Sequence, residues 1–434
     1  MIFSKQRAFH RWPCVVSSAS ALFAGATCGA QAQQYTLEQP QAQEARPQHR
    51  FDALRDDALA KFLNVGPFNI RPHFVGAGFY DDNISLAPKG QGREILKDVV
   101  WSLSPGVTAA IGEFQAGKRG NYLSLDYTPT ATLYTDHGEF NALDHNVRFD
   151  GGWRGSKLAL GVGQSYMTGS GGFAETGGQV EREVYNTGLN AHYDFSDKTS
   201  FGLNGRQVIS SFETRDKADA STGDNDLDSR NEWSVEAVGD YKLSDKVKLG
   251  AGVVTGWRDI RNSPNESYQQ LLARGGYLVT EKIDVSLAVG AQWSQFQGGL
   301  NEGPKFIFDL GGTWQVRERT SLSLDLFRRE QSSVAFSAQS YTVVGFRASV
   351  RQTIGQKWVA GLGGGFEHSD YFETTSGTST SQDNDYWFVG PSLDYNFSDQ
   401  WTVGLFYQYR EKDSDDASFG FANNQAGLRT TFRF

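Results

Sequence analysis

Segment after segment of this 434-residue chain alternates apolar and polar side chains with a period of two. From Trp233 to Leu243 the odd positions carry Trp, Val, Ala, Gly, Tyr and Leu, while the even ones include Ser234, Glu236, Asp240 and Lys242. Tyr185–Phe195, Ile283–Trp293 and Trp401–Tyr409 repeat the pattern. A period of two separates the two faces of a β-strand, so the chain reads as all-β with one apolar face per strand. Beyond the N-terminal segment no run of roughly 18 apolar residues occurs, which excludes a membrane helix. Two architectures remain, a soluble sandwich and a closed membrane barrel.

The connections separate them. Short turns recur at Phe195-Ser-Asp-Lys-Thr199, Leu243-Ser-Asp-Lys-Val247, Val279-Thr-Glu-Lys-Ile283, Val316-Arg-Glu-Arg-Thr320, Ile354-Gly-Gln-Lys-Trp358 and Phe397-Ser-Asp-Gln-Trp401. Longer connections rich in Asp, Ser, Asn and Gly lie between them, as at Asp216–Arg230, Ser369–Asp385 and Lys412–Gly420. Short turns on one rim and long polar loops on the other are the pattern of bacterial outer-membrane barrels. The segments number about eighteen, within roughly 16 to 20, which predicts a transmembrane antiparallel up-and-down β-barrel over residues 68–434 with both termini periplasmic. Trp153, Trp257, Trp293, Trp314, Trp358, Trp387 and Trp401 fall near strand ends, where interface girdles sit; in a sandwich they would be core. The abundance of Gly (49) and Phe (30) suits strands that face lipid.

The N-terminus carries Lys5, Arg7 and Arg11 without an acid, then an apolar stretch from Cys14 to Ala26 and the small-residue site Ala30-Gln31-Ala32. This is a secretory signal peptide over residues 1–32. Cys28 offers a lipoprotein alternative, but Gly25-Ala26-Thr27 departs from that pattern. Residues 33–67 read as a polar periplasmic lead-in with one short helical possibility at Phe51–Phe62. Cys14 and Cys28 are the chain's only cysteines, so the mature protein has no disulfide and no thiol chemistry. The formal net charge of −9 becomes more negative once the three basic residues are removed, which argues against a nucleic-acid partner. At the other end, Ala426, Leu428, Thr430, Phe432 and Phe434 share a face. A terminal aromatic after such alternation resembles the signal read by the barrel-insertion machinery. An open edge so apolar would aggregate in water, and pairing with the first strand near Phe68–Tyr80 removes it.

The inward parity places Arg148, Arg206, Arg258, Arg274, Arg329, Arg347, Arg351 and Arg410 beside Glu236, Asp309, Asp325 and Glu367. These are the expected pore-lining residues, because about eighteen strands leave an aqueous channel. Tyr122, Tyr134, Phe327, Tyr386, Phe388 and Phe406 fall on the same face. They either stack on sugar rings or, on the simpler account, pack over glycines such as Gly361, Gly363 and Gly365. No catalytic residue, metal or cofactor is expected: G-x-S-x-G and H-E-x-x-H are absent. The acid and histidine group Asp136, His137, Glu139, Asp144 and His145 reads as a solvated loop. Asp224-Asn-Asp-Leu-Asp228 begins like a calcium loop, yet Ser229 and Val235 stand where Gly and Glu are required.

Phe68-Asn-Ile-Arg-Pro-His-Phe-Val-Gly-Ala-Gly-Phe-Tyr-Asp-Asp-Asn-Ile84 resembles the opening of the β-barrel porin 2 family, whose first strand runs through an Arg-Pro pair into a Tyr-Asp-Asp-Asn element. The motif residues here are Arg71, Pro72, Tyr80, Asp81, Asp82 and Asn83. Leu103-Ser-Pro-Gly-Val107 and Asn121-Tyr-Leu-Ser-Leu-Asp-Tyr127 are similar to that family's second and third strands. The resemblance implies an outer-membrane barrel in contact with lipid, without catalytic residues. It further implies a passive conduit, in many members tied to exopolysaccharide export and so to a polysaccharide and a periplasmic export component. A general diffusion porin, a non-transporting surface barrel with ion- or glycan-binding loops, and a hydrolase working at His137 and His145 are the alternatives.

Overall fold

The computed structural model describes residues 64–88, 93–115, 118–215, 227–375 and 382–433. The expected signal peptide, almost all of the expected lead-in and Phe434 lie outside them. Twenty-one strand segments form one sheet. Asn64–Val65 only folds back on the strand that follows it, and two wall strands are each interrupted once, which leaves eighteen staves.

In chain order these are β1 (Phe68–Asp81), β2 (Asp98–Gln115), β3 (Lys118–Tyr127 continued by Thr130–Tyr134), β4 (Ala142–Asp144 continued by Asn146–Arg154), β5 (Leu158–Phe173), β6 (Gly178–Asp194), β7 (Thr199–Thr214), β8 (Arg230–Lys242) and β9 (Val247–Ile260). The second half comprises β10 (Glu266–Thr280), β11 (Ile283–Phe296), β12 (Asn301–Arg317), β13 (Thr320–Ser332), β14 (Gln339–Ile354), β15 (Trp358–Glu373), β16 (Asp383–Asn396), β17 (Trp401–Ser414) and β18 (Phe421–Arg433). Each stave pairs antiparallel with the next, and β18 returns to β1 from His73↔Arg433 to Asp81↔Gln425. The sheet is closed, so no apolar edge is left open. The expected strand number and closure against the first strand are both observed.

The alternation has the physical meaning the sequence suggested. Leu203, Val235, Leu249, Leu271, Leu362 and Leu428 are exposed, and every Trp assigned to a girdle is exposed as well. A sandwich would have buried those rings. Trp153, Trp314, Trp358 and Trp401 stand beside the short turns, whereas Trp257, Trp293 and Trp387 stand towards the opposite rim. Trp233 and Tyr241, both exposed, bound the outward face of β8. Eight residues separate them, about 27 Å along a strand and roughly 20 Å of height at barrel tilt, close to the apolar band of a membrane barrel.

Two features of the wall are set by local sequence. In β3 the break falls at Thr128, whose hydroxyl donates to Asp126 Oδ1 (3.0 Å) and lies 2.9 Å from His73 Nε2. That imidazole crosses directly over Gly106, where a Cβ would stand 2.1 Å from His73 Nε2, so the Ser-Pro-Gly stretch within β2 needs glycine there. In β5 the run Gly169-Ser-Gly-Gly172 lets the strand bend away from the wall as it rises past the shorter β4.

Candidate functional site

The motif residues at the top of β1 form a seam lock. Asp81 Oδ1 accepts from the Asn83 N–H (2.9 Å) and from Asn423 Nδ2 (2.5 Å), and its Oδ2 accepts from Gln425 Nε2 (2.7 Å). Asp82 accepts twice from Asn424, through its N–H and its side-chain amide (both 2.7 Å). Asn83 Nδ2 donates to the carbonyls of Ala87 (2.9 Å) and Ala422 (3.0 Å). Three consecutive residues of β1 and its loop therefore tie the first stave to the last, residues more than 300 positions apart. Tyr80 points outward, and Arg71 Nε donates to Asn69 Oδ1 (2.8 Å) at the opposite end of the strand. Pro72 stands one residue below the start of the β1–β18 pairing at His73.

On the inner face the charges meet one another. Arg258 Nε and Nη1 donate to Glu232 Oε2 (3.1 Å) and Glu266 Oε2 (2.8 Å), and the Tyr268 hydroxyl donates to Glu232 Oε1 (2.8 Å). Arg274 pairs with Glu236, which also accepts from Asn204 Nδ2 (2.8 Å). Arg329 pairs with Asp309, and Arg347 with Glu367. Arg148 donates to Asp150 (2.6 Å), Arg206 to Asn186 Oδ1 (3.1 Å), and Arg410 Nε to Asn423 Oδ1 (2.6 Å). Asp325 stands opposite Arg347 in the register, and Arg351 opposite Gly361; both are partnered. Most of these contacts join neighbouring staves, where a pair contributes about 0.2–1 kcal/mol to the sheet. They also cancel sign along the wall.

The inner aromatics divide. A Cβ on Gly365 would meet the Phe388 ring at 2.9 Å, one on Gly345 the Phe327 ring at 2.8 Å, and one on Gly152 the Tyr122 ring at 2.4 Å. These rings pack over glycine as the simpler account holds, although the glycines used are largely not those named from the sequence. Phe406 behaves differently. Its ring lies 6.0 Å from that of Phe79 beside a cleft also bordered by Tyr134 and Arg410.

The mouth at the long-loop rim departs most from expectation. Its connections do not simply extend into solvent. The tip of the β5–β6 hairpin is almost wholly buried, from Phe173 through Val180. Lys412 Nζ, projecting from β17, donates to the tip carbonyls of Ala174 (3.1 Å) and Glu175 (3.0 Å). Across the mouth, Glu175 Oε1 accepts from the Ser333 hydroxyl (2.7 Å) and from the N–H groups of Val334 (2.8 Å) and Ala335 (3.3 Å), in the β13–β14 loop. Phe173, Val180 and Phe212 cluster with Val334, and the Phe336 ring contacts Tyr371 and Phe419. The hairpin tip thus spans from its own wall to staves on the far side. Seven staves lie between β5 and β13, close to half the circumference.

A second latch uses Asp228, just before β8. It accepts from the hydroxyls of Ser263 and Ser337 (3.4 Å for the latter), and its N–H donates to the Val334 carbonyl (3.0 Å). Burial pushes the Asp228 carboxyl above its ordinary value, against hydrogen bonds that pull it down. Asp224 and Asp226 of the calcium-like stretch lie outside the described residues. Asp98 gathers the His137 region, accepting from His137 Nδ1 (3.0 Å) and from the N–H groups of Thr135, Asp136 and His137. His145 stacks on Tyr127 instead, so the two histidines are held by different partners. Among the described residues no three His, Cys, Asp or Glu side chains gather as a metal site would require.

Residues 237–434 match the sequence profile of the family described as "Putative beta-barrel porin-2, OmpL-like". The chain is a bacterial outer-membrane β-barrel, similar over that stretch to this porin family. The family match covers β9–β18 and part of β8, whereas the Arg-Pro and Tyr-Asp-Asp-Asn residues lie ahead of it in β1. Among solved structures, a bacterial polysaccharide outer membrane secretin aligns at 11% identity over 86% of this chain and 100% of its own, with a TM-score of 0.35. OpdQ of Pseudomonas aeruginosa aligns at 10% identity over 85% and 98%, TM-score 0.42. The CymD monoaromatic hydrocarbon channel aligns at 12% identity over 91% and 93%, TM-score 0.34. No curated protein matches in sequence.

Within this barrel the residues that shape the mouth, Glu175, Lys412, Asp228 and Ser333, are absent from the set expected to line the lumen. One signal for them was present. Phe173, Val180, Val334 and Phe336 are apolar residues in connections otherwise rich in Ser, Gly and Gln, and connections bearing buried apolar anchors fold back on a protein.

Proposed function

We propose that the barrel is a channel for small hydrophilic solutes, saccharides foremost, with its rate set by the β5–β6 tip at the outer mouth. The observation that carries this is the tip itself, held from two sides by Lys412 and by the β13–β14 loop above a wall whose charges are paired. Paired charges of both signs give a hydrated surface without a strong preference for cations or anions, and a constriction then selects chiefly by size. A secreted polysaccharide would take the same route only as a single extended chain and only once the tip had moved. Export of that kind would draw on a periplasmic component at the short-turn rim.

Swelling of liposomes reconstituted with the full chain tests the proposal. Glucose should enter fastest, maltose slower and maltotriose slowest, with a steep fall across the three. Swelling no faster than that of protein-free liposomes for all three sugars would overturn it.

A further inference from the structure

Beneath the tucked hairpin, the walls of β1, β2, β3, β17 and β18 bound a partly open cleft of about 90 Å³. Two buried polar side chains at its edge are incompletely satisfied. Arg410 is 3% exposed; its Nε is used by Asn423, and its Nη1 has no partner among the described residues. Gln179, at the base of the hairpin tip, is 1% exposed. Its Nε2 donates to the Ile84 carbonyl, which fixes the amide and leaves Oε1 without a donor. Asp81, a carboxylate lining the same cleft, does not satisfy Arg410 Nη1, since its oxygens are held by Asn83, Asn423 and Gln425. Buried polar groups in folded proteins are paired as a rule, and an unpaired donor and acceptor bordering one cleft mark a place for a ligand.

The chemistry of that ligand follows from what is missing. Arg410 asks for an anionic acceptor, and a guanidinium suits a carboxylate. Gln179 Oε1 asks for a hydroxyl or N–H donor. The Phe79 and Phe406 rings, tilted by 60° to each other, offer an apolar surface for one face of a ring. Ser102 and Thr132 add hydroxyls to the lining. We infer that this cleft is a subsite for a hexuronate, a sugar ring that carries a carboxylate together with hydroxyl donors. A neutral hexose lacks the anion, and an aromatic carboxylate lacks the hydroxyls. The nearby negative charge of Asp81 tempers the attraction of Arg410, which keeps occupancy brief enough for passage. The inference rests on a solute-accessible lumen, as proposed above, and names the class of solute that pauses there.

Titration calorimetry on the detergent-solubilised full chain tests it, with D-glucuronate, D-glucose and benzoate as probes. Glucuronate should bind at least tenfold more tightly than either of the others. Gln179→Leu and Arg410→Gln should each weaken glucuronate at least tenfold, and Arg410→Lys, which keeps the charge, should recover part of the loss. Glucuronate binding no tighter than glucose or benzoate would overturn the inference, as would unchanged glucuronate affinity in Gln179→Leu. The wild-type comparison decides even if an Arg410 variant fails to fold. Binding in detergent needs no conduction, so selective glucuronate binding without liposome swelling would remove the channel and keep the site, and swelling without selective binding would do the reverse.

Discussion

Replacing Glu175 by Ala removes the acceptor that holds the hairpin tip to the far side of the mouth. One carboxylate oxygen takes three donors, two of them at 2.7 and 2.8 Å. A hydrogen bond to a charged partner contributes about 1.5–3 kcal/mol, and the lower figure for the two short bonds alone gives about 3 kcal/mol. At 1.4 kcal/mol per factor of ten, the released form of the tip should become roughly a hundredfold more populated. Lys412 still holds the tip to β17, so release shifts an equilibrium and does not abolish the closed form. Single-channel recording in planar bilayers reads the outcome directly as a roughly hundredfold rise in the ratio of time spent in a larger-conductance state to time in the smaller one. Glu175→Gln keeps an acceptor without the charge and should fall between. Recordings of Glu175→Ala indistinguishable from those of wild type, with the barrel intact by heat-shifted gel mobility, would refute the idea that this contact restrains the mouth.

Asp228 supplies a pH test. Its folded pKa is raised, so its contribution to the latch is complete below the ordinary value of 3.8 and is lost as pH rises through the folded value. The larger-conductance state should therefore be rarer at pH 4 than at pH 7, and Asp228→Asn should flatten that difference; an unchanged pH response in the variant would count against it. Asp81→Ala strips two acceptor contacts from the β1–β18 seam and one local one, and should lower the stability of the barrel by about 3 kcal/mol, read as a fall in the temperature at which its gel mobility changes. Leu271→Arg puts a charge on the lipid face near mid-strand and should destabilise by about 2–4 kcal/mol, whereas Ser286→Arg on the inner face should cost much less. Equal losses in guanidine unfolding would mean that the two faces are misassigned.

The wall was legible because its physics is local. A period of two fixes which residues face lipid, and a slip of one residue would have turned Leu203, Val235 and Leu271 inward, so closure and strand number followed from counting. The inner charges were legible for the same reason, by parity alone. The mouth was hidden because a connection rich in Ser, Asp and Gly has the same composition whether it faces water or folds into a lumen and bonds to other loops. Phe173, Val334 and Phe336 carried the difference, yet nothing local says that Glu175 meets a loop some 160 residues away. The Tyr-Asp-Asp-Asn element was recognisable as a motif, but its purpose required the last strand beside it: Asn423, Asn424 and Gln425 are its partners. The separate fates of Phe406 and Phe388 likewise depended on which glycines stood opposite.

The most direct measurement of the central claim is the conductance of the purified wild-type chain in planar lipid bilayers. A conducting barrel narrowed by an inward hairpin predicts discrete steps of uniform small size with occasional transitions to a larger level, present at both polarities. Bilayers that remain at baseline after verified insertion of folded barrels would contradict it, because the converging loops would then be a seal and not a constriction.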